Sequence, residues 1–582
     1  MAEAQTLESI LVADCGRAAT KLLLLERVAD SYRFIAQAET LTTSVAPWRD
    51  ISLGVSRAIE DLESITGRRL YRNGRVIVPR QGLSGVDAFV ILLSASEPLH
   101  LVLAGLVKEM SLESAARAAN GTYTDVQAVL SREGSLRSPQ ETWSRTIRDL
   151  APDGVVLVGG VDGGAKRPVL ELAEAVALAS SMLDEEDRPV VIFAGNRDLR
   201  PFVTKLMGDI TDIRVVDNVH PVAGMEHLRP LQEALEALYR EQRMNRTPGI
   251  EALSGWTRMP LVPAATAFSQ VVDFLWHREG HTDRGVLGVD IGAGTVTIAA
   301  EFDEWPYLSI YNHGIAEGLQ SWVDSHDVDR VKRWIPEEMD DDTILGHLHA
   351  KSQHPGTVPQ TTEELWIEMA VVREMLRSAL VRARPSWDVK DAHMTEGLMP
   401  RLDPILVSGG AVVRAPRPGQ TLLAVLDGLE PVGISTVLLD VNRSAPALGA
   451  VARIKPLAAA SALESGTLLS LGTVISPVGR AGPGDTVLKL SITYESGAEL
   501  DVEAHYGDIE IWPLLPDKRA TIEIRPTRRF DVGMGNGRRV KVEVIGGQLG
   551  IVVDARGRPL RLPEDPDARR RAVNGWIWDV GG

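Results

Sequence analysis

Three short segments carry residue types suited to holding a polyphosphate. Asp14-Cys15-Gly16-Arg17-Ala18-Ala19-Thr20-Lys21 and Asp290-Ile291-Gly292-Ala293-Gly294-Thr295 each set an aspartate at the end of an apolar run, a glycine two residues on and a threonine soon after. Glycine lets backbone amides come close to a phosphate, and turn N–H groups make a nest for anions. A carboxylate beside a polyphosphate repels it unless a cation lies between them. Mg²⁺ suits that place, because it keeps several waters, binds through one or two carboxylates and meets phosphate oxygens. The third segment, Val407-Ser408-Gly409-Gly410-Ala411, puts two glycines after an apolar run, a turn against which a nucleoside could pack. None of the three is specific alone, since D-x-G and strand-GG are ordinary turn chemistry. Their order is informative: one D-x-G, a second about 275 residues later, and strand-GG about 115 further on, each interval fitting half of a two-part fold.

The surrounding elements must present these segments. SILVA and KLLLLE, within residues 8–27, read as a hairpin about DCGRAAT, followed by a helix over 50–66 and a strand over 86–94. Between 99 and 217, near-continuous apolar strands (99–107, 122–130, 154–160, 189–195, 213–219) alternate with helices, the first opening at Ser111 as N-cap and the others over 139–151, 166–183 and 198–207. That alternation is the pattern of a parallel sheet covered on both faces, a doubly wound α/β module. Helices over 231–243 and 264–279 lead to a second hairpin-like segment at 285–311 and a helix-rich stretch at 316–385. Strand 404–410, helix 418–428, strand 435–441 and a small-residue helix at 446–454 follow. From 467 to 582 the apolar pattern alternates without a helical period, among dense Gly, Pro and Asp turns. This reads as a separate β-rich domain.

Composition bounds the class. Sixty-two Lys and Arg against 79 Asp and Glu leave a net charge of −17, which argues against a nucleic-acid partner. No apolar run reaches the ~18 residues that a membrane helix needs, and no basic leader opens the chain, so neither membrane nor secretion is expected. The single cysteine, Cys15, excludes an intrachain disulfide and fits the cytoplasm; within the first loop it reads as a small filler. Gly159-Gly160-Val161-Asp162-Gly163-Gly164 does not fit G-x-G-x-x-G, and the cobalamin signature D-x-H-x-x-G is absent. His347, His349 and His354 follow an acidic run that reads as a solvated helix start rather than a metal site. Trp322, Trp334 and Trp366 read as core, and Arg569-Arg570-Arg571 as a solvated surface run.

The ordered trio resembles the actin/Hsp70/sugar-kinase ATPase superfamily, in which two duplicated halves clamp Mg-ATP between paired phosphate loops. Within it, the chain is similar over residues 8–455 to the glutamate mutase accessory protein family (GlmL or MutL, unrelated to the mismatch-repair protein of similar name). The resemblance rests on DCGRAATKLLLLE, LHLVLAGLVKEMSLESAARAANG, VVLVGGVDGGAK, VVIFAGNRD, VVDNVHPVAGMEHLRPLQEAL, VDIGAGTVT and PILVSGGAVVRAP. It implies an α/β fold of duplicated actin-like (ribonuclease H-like) halves, with an inserted doubly wound α/β module and a C-terminal β-rich domain. The implied division is 1–98 and 221–284 for the first half, 99–220 for the insertion, 285–460 for the second half and 461–582 for the β-rich domain.

The same resemblance implies an ATP-binding accessory or reactivating factor, with ATP and Mg²⁺ as cofactors and an adenosylcobalamin-dependent mutase subunit as partner. Asp14 and Asp290 then become the catalytic Mg-water ligands. Gly16, Thr20, Gly292, Gly294 and Thr295 become phosphate-loop residues, Lys21 a neighbour of the phosphates, and Ser408, Gly409 and Gly410 the adenosine contact. Two departures stand out. Arg17 and Ala18 occupy positions where the family has small hydroxyl residues; Arg17 either pairs with phosphate bidentately or obstructs the site. Thr297 stands where the second loop usually carries another Asp, which puts hydrolysis in question more than binding. A non-hydrolysing scaffold is thus the alternative. A small-molecule kinase comes third, for want of a base for a hydroxyl substrate near either loop.

Overall fold

The computed structural model describes residues 7–132, 139–279, 283–302, 305–325, 327–387 and 398–581; residues 1–6, where a leader would begin, lie outside them. Ser9–Cys15 (β1) and Ala19–Val28 (β2) are Ile/Leu/Val-rich, and Gly16 in the turn between them lets the two pair antiparallel. The chain turns again into Ser31–Leu41 (β3), beside β2. β1 also runs parallel to Ala88–Leu93 (β4), and β4 to the short Val262–Pro263 (β10), giving the order β10-β4-β1-β2-β3. The helix Ile51–Thr66 (α1), capped by the Asp50 side chain on Ser52 N, covers one face through Val55, Ala58, Ile59 and Leu62.

Gly285–Ile291 (β11), Val296–Phe302 (β12) and Trp305–Tyr311 (β13) repeat the meander. Leu402–Ser408 (β14) lies parallel to β11, and Gly433–Leu439 (β15) parallel to β14. One pairing pattern thus occurs twice: a three-stranded meander whose first strand continues into two parallel strands. Each expected hairpin is therefore three strands. β3 escapes the apolar-run reading because charged and polar residues, Arg33 and Glu39 among them, interrupt its pattern of half-buried positions.

Between β4 and β10 the chain makes a wholly parallel sheet from Leu99–Gly105 (β5), Thr124–Ser131 (β6), Gly154–Leu157 (β7), Val190–Phe193 (β8) and Ile213–Val215 (β9), in the order β9-β8-β7-β5-β6. β7 and β8 are buried at every residue, as a sheet covered on both faces requires. Its helices are Glu113–Ala119 (α2), Pro139–Leu150 (α3), Arg167–Ser181 (α4) and Arg200–Met207 (α5). Ser111 is not an N-cap. Met110 departs from helical backbone angles, so the regular helix starts only at Glu113, and Ser111 is buried.

Arg229–Gln242 (α6) and Ala264–Glu279 (α7) return the chain to the first half. α7 lies against Ala445–Ala452 (α12) so closely that a Cβ on Gly449 would collide with the carbonyl of Ala267. Phe268, Val271 and Val272 of α7 share one core with Ile10 and Val12 of β1 and with Leu448 and Val451 of α12, joining the two halves at their base. The helical stretch of the second half comprises Ile315–Ser325 (α8), Asp341–Gln353 (α9) and Thr362–Ala383 (α10), with Pro418–Leu429 (α11) after β14. Asp340 accepts from Thr343 N at 2.8 Å and caps α9, so the acidic run does begin a helix. Trp322 and Trp334 are buried.

Three of the C-terminal strands join the second-half sheet. Leu469–Ser476 (β16) pairs with β15, Ile551–Asp554 (β22) with β16, and Ile509–Trp512 (β19) with β22, which extends the second-half sheet. Thr486–Tyr494 (β17), Glu499–His505 (β18), Arg519–Pro526 (β20) and Val540–Ile545 (β21) form their own sheet, in the order β18-β17-β20-β21. Strand alternation carries no information about which sheet a strand joins, and buried charge makes the junction here. Asp427 of α11 binds Arg373 of α10 and Arg556, both at 2.7 Å, while Asp554 binds Arg556 at 2.8 Å and Arg558 at 2.5 Å. Burial opposes the charge on Asp554, yet the two guanidiniums hold its carboxyl far below the usual range. A buried network of this kind is strongly destabilised when one partner is lost. The last helix, Pro566–Asp579 (α13), carries Arg569–Arg571 and lays Trp576 against Arg556. Among the described residues no helix is long and apolar enough to cross a membrane.

Candidate functional site

Strands β1 and β11 both end at a cleft between the halves, and their turns close in the same way: Gly16 N donates to Ala19 O at 3.0 Å, and Gly292 N to Thr295 O at 2.9 Å. A cavity of about 470 Å³ lies between these turns. Asp14, Gly16, Arg17 and Lys21 line it from the first half. Asp290, Gly292, Gly294, Thr295 and Thr297 line it from the second, with Ser408, Gly409 and Gly410 at one end. Three segments far apart in the sequence meet in one place. Gly409 has φ +104°, and a Cβ there would collide with the backbone of Ile291, so only glycine lets the third segment lie against the second loop.

Strand register explains which side chains face the cavity. Asp14 pairs with Lys21 across β1–β2, and Lys21 with Glu39 across β2–β3, which lays three charges of alternating sign in a row. Lys21 Nζ sits 2.8 Å from Asp14 Oδ2 and donates to the carbonyl of Arg443 at 3.1 Å. In the second half the equivalent row is Asp290, Thr297 and Ile310. Burial pushes the Asp290 carboxyl up to about 6; Lys21 pulls against this, while Asp14 and Asp440 add to it.

One expected site residue falls away. Thr20 lies between Ala19 and Lys21 on the opposite face of β2, 1% exposed, with its hydroxyl against Gly54 of α1, and it does not line the cavity. Ser408 contributes differently from expectation: its hydroxyl turns back to donate to Asp440 at 2.9 Å. Cys15 is buried, and burial with the nearby Asp14 pushes its thiol far above the usual range, which disfavours the reactive thiolate. Arg17 reaches across the cleft. Its guanidinium pairs with Glu97 at 3.2 Å and with Glu317 of α8 at 2.7 Å, and its aliphatic stem occupies the space that a Cβ on Gly294 would need. His347 lies outside the cleft, 3.5 Å from Glu368.

Sequence reading missed Glu39, Arg414, Arg443 and Asp440. Asp440 is fully buried and accepts from Ser408 Oγ, from Ser444 N and Oγ at 2.9 and 3.0 Å, and from Ala445 N at 2.8 Å. It thereby fixes the third segment and the start of α12 together. Its signal was present, an aspartate ending an apolar run ahead of a small-residue helix, as in a capping pattern. Arg443 and Glu39 had no comparable signal, because they meet only when the halves do.

Asp14 and Asp290 offer hard oxygen donors from equivalent strand ends, and Asp440 adds negative charge behind them. This donor set fits a divalent cation bound through water. Two glycine turns line the cavity from opposite halves, a setting that fits an anion. Paired meander-and-parallel sheets closing on such a cleft define an actin-like ATPase fold, carrying here an inserted doubly wound module.

The chain belongs to the MutL protein family, whose sequence profile matches residues 10–466, both halves and the insertion included. It is 23% identical over 446 residues to Protein MutL of Clostridium tetanomorphum, covering 72% of this chain and 89% of that protein. Among solved structures it is similar to a diol dehydratase-reactivating factor in nucleotide-free form (9% identity, 79% of this chain and 100% of that one, TM-score 0.29). It is also similar to a glycerol dehydratase reactivase (10% identity, 77% and 100%, TM-score 0.31).

Proposed function

We propose that the cleft binds ATP with Mg²⁺, and that the protein acts as an accessory or reactivating factor for an adenosylcobalamin-dependent mutase of the glutamate mutase type. The observation that carries the reading is the meeting of both D-x-G turns and the GG turn around one cavity of about 470 Å³, a volume within the usual range for small-ligand sites. Membership of the MutL family supports the accessory role.

Each element has a part in this reading. Asp14 and Asp290 would hold Mg²⁺ through water, and the cation would supply the positive charge that lets phosphates approach these carboxylates. The 16–19 and 292–295 turns would meet the phosphates from opposite halves. Gly409 and Gly410, with Pro355 and Gly356 of the same lining, would flank the nucleoside. A ligand gripped by both halves favours closure about the α7–α12 joint. The insertion is tied to the second half as well as to the first: Ile310 N donates to Asn120 O at 2.6 Å, and Asn312 Nδ2 to Thr124 O. Closure therefore moves the insertion, which gives the partner a surface that depends on nucleotide.

Thr297, uncharged and opposite Asp290, favours binding over rapid hydrolysis and keeps the non-hydrolysing scaffold as the second reading. Calorimetric titration with Mg-ATP, followed by phosphate-release assay, tests both. Heat of binding with little phosphate release is expected. Neither heat nor thermal stabilisation at millimolar Mg-ATP would leave a scaffold without nucleotide. Restoration of an inactivated mutase by the protein with Mg-ATP, but not by either alone, tests the partner.

A further inference from the structure

Glu39 of β3 holds two arginines of the opposite half. Its carboxylate accepts from Arg443 Nη1 at 3.1 Å and from Arg443 Nη2, and Arg414 Nη2 lies 3.3 Å from the same group. All three side chains line the cavity beside the glycine turns. A guanidinium that grips a carboxylate with two nitrogens has the geometry to grip a phosphate.

Arg443 is aimed at this place at a cost. Its φ of +52° is left-handed, a conformation uncommon for a residue with a Cβ. Two groups impose it: Asp440 O accepts from Arg443 N at 3.0 Å, and Lys21 Nζ holds the Arg443 carbonyl. Strained residues fixed from several sides cluster at ligand clamps. Glu39, by contrast, sits on an edge strand with ordinary backbone and a quarter of its side chain exposed. Of the two partners, the carboxylate is the one free to leave.

Building on the nucleotide reading, we propose that Arg443 and Arg414 are phosphate-binding residues of the cleft and that Glu39 is a resident counter-anion which an incoming polyphosphate displaces. The pair also spans the halves, with its anion on the first and its cations on the second. Arg17 and Glu317 make the mirror pair, cation on the first half and anion on the second. A polyphosphate attracts Arg17 and Arg443 and repels Glu39 and Glu317. Two direct links between the halves are thereby exchanged for links through the ligand, so the groups that latch the halves are the ones that read the phosphates.

The test is calorimetry on the full chain with two probes, ATP and inorganic pyrophosphate, both with Mg²⁺. Glu39→Gln should lower Kd about tenfold for both probes, and Arg443→Gln should raise it about tenfold, as expected for a charge-assisted bidentate contact. The double variant should keep only a small part of the Glu39→Gln gain, that from the freed Arg414, and Arg443→Lys should recover only part of the loss. Tight binding by Glu39→Gln where the wild type binds weakly or not at all supports the proposal. Unchanged affinity in Glu39→Gln, with a wild type that binds, overturns it and leaves the nucleotide reading standing. Effects on ATP without effects on pyrophosphate place the arginines away from the phosphates and also overturn it. If neither wild type nor Glu39→Gln binds either probe, both readings fall.

Discussion

The two meanders share a backbone and differ in one row of side chains. In the first, Asp14, Lys21 and Glu39 stand side by side; in the second, Asp290, Thr297 and Ile310 do. Asp14 therefore has an ammonium at 2.8 Å, whereas Asp290 faces a hydroxyl, and its carboxyl is pushed up to about 6, by burial first, against the pull of Lys21 and with the push of Asp14 and Asp440. Ile310 is buried in the core shared with the insertion. The two aspartates hold equivalent strand positions and differ in their neighbours. The first is paired with Lys21 within the protein, and on the proposed reading the second would be the more dependent on the cation. On the proposed reading the first row would face ligand and latch, whereas the second packs through Ile310 against the insertion.

The largest effect should come from neutralising the two aspartates one at a time. Asp290→Asn is expected to weaken Mg-dependent ATP binding by about 100-fold, and Asp14→Asn by only about tenfold, within the range seen for groups that hold a metal indirectly. Calorimetry with and without EDTA reads the difference; equal losses would break the comparison. Next comes Lys21→Thr, which writes the second row into the first. It leaves Asp14 without its partner in a site only about 12% exposed, and should cost roughly 3 kcal/mol in urea unfolding.

A smaller effect is expected from pH. Asp290 must be ionised to attract the cation, so Mg-dependent affinity should fall about fourfold between pH 7.5 and 5.5, across the titration near 6, and the fall should vanish in Asp290→Asn. The sign for stability is opposite. A carboxyl whose folded pKa is raised favours the fold when protonated. Without ligand, stability should therefore decline as pH rises from the ordinary carboxylate range through about 6, and Asp290→Asn should remove that slope. Smallest of all, Thr297→Asp should bring a few-fold rise in phosphate release, with lower stability in EDTA that Mg²⁺ restores.

Much of this site was legible in the sequence because strand ends and glycine turns are local features. Asp14, Gly16, Asp290, Gly292 and Gly409 follow from apolar runs that stop at a turn, and the parallel insertion follows from its uninterrupted Val/Ile/Leu strands. Facing direction was less accessible. Thr20 and Lys21 are adjacent, and only the register of β2 against β1 and β3 decides which one enters the cleft. Contacts across the halves had no local trace at all: Glu39 lies 404 residues from Arg443. The same limit applies to β16, β19 and β22, whose alternation marks them as strands without saying that they continue the second-half sheet.

The most direct test is the structure of the protein crystallised with a non-hydrolysable ATP analogue and Mn²⁺ in place of Mg²⁺, with the metal located by its anomalous scattering. The account predicts a single Mn²⁺ within water-bridging distance of Asp290, phosphates between the 16–19 and 292–295 turns, and Arg443 turned from Glu39 to a phosphate oxygen. Nucleotide bound elsewhere, or Mn²⁺ beside Asp14 alone with the Glu39–Arg443 pair intact, would contradict it.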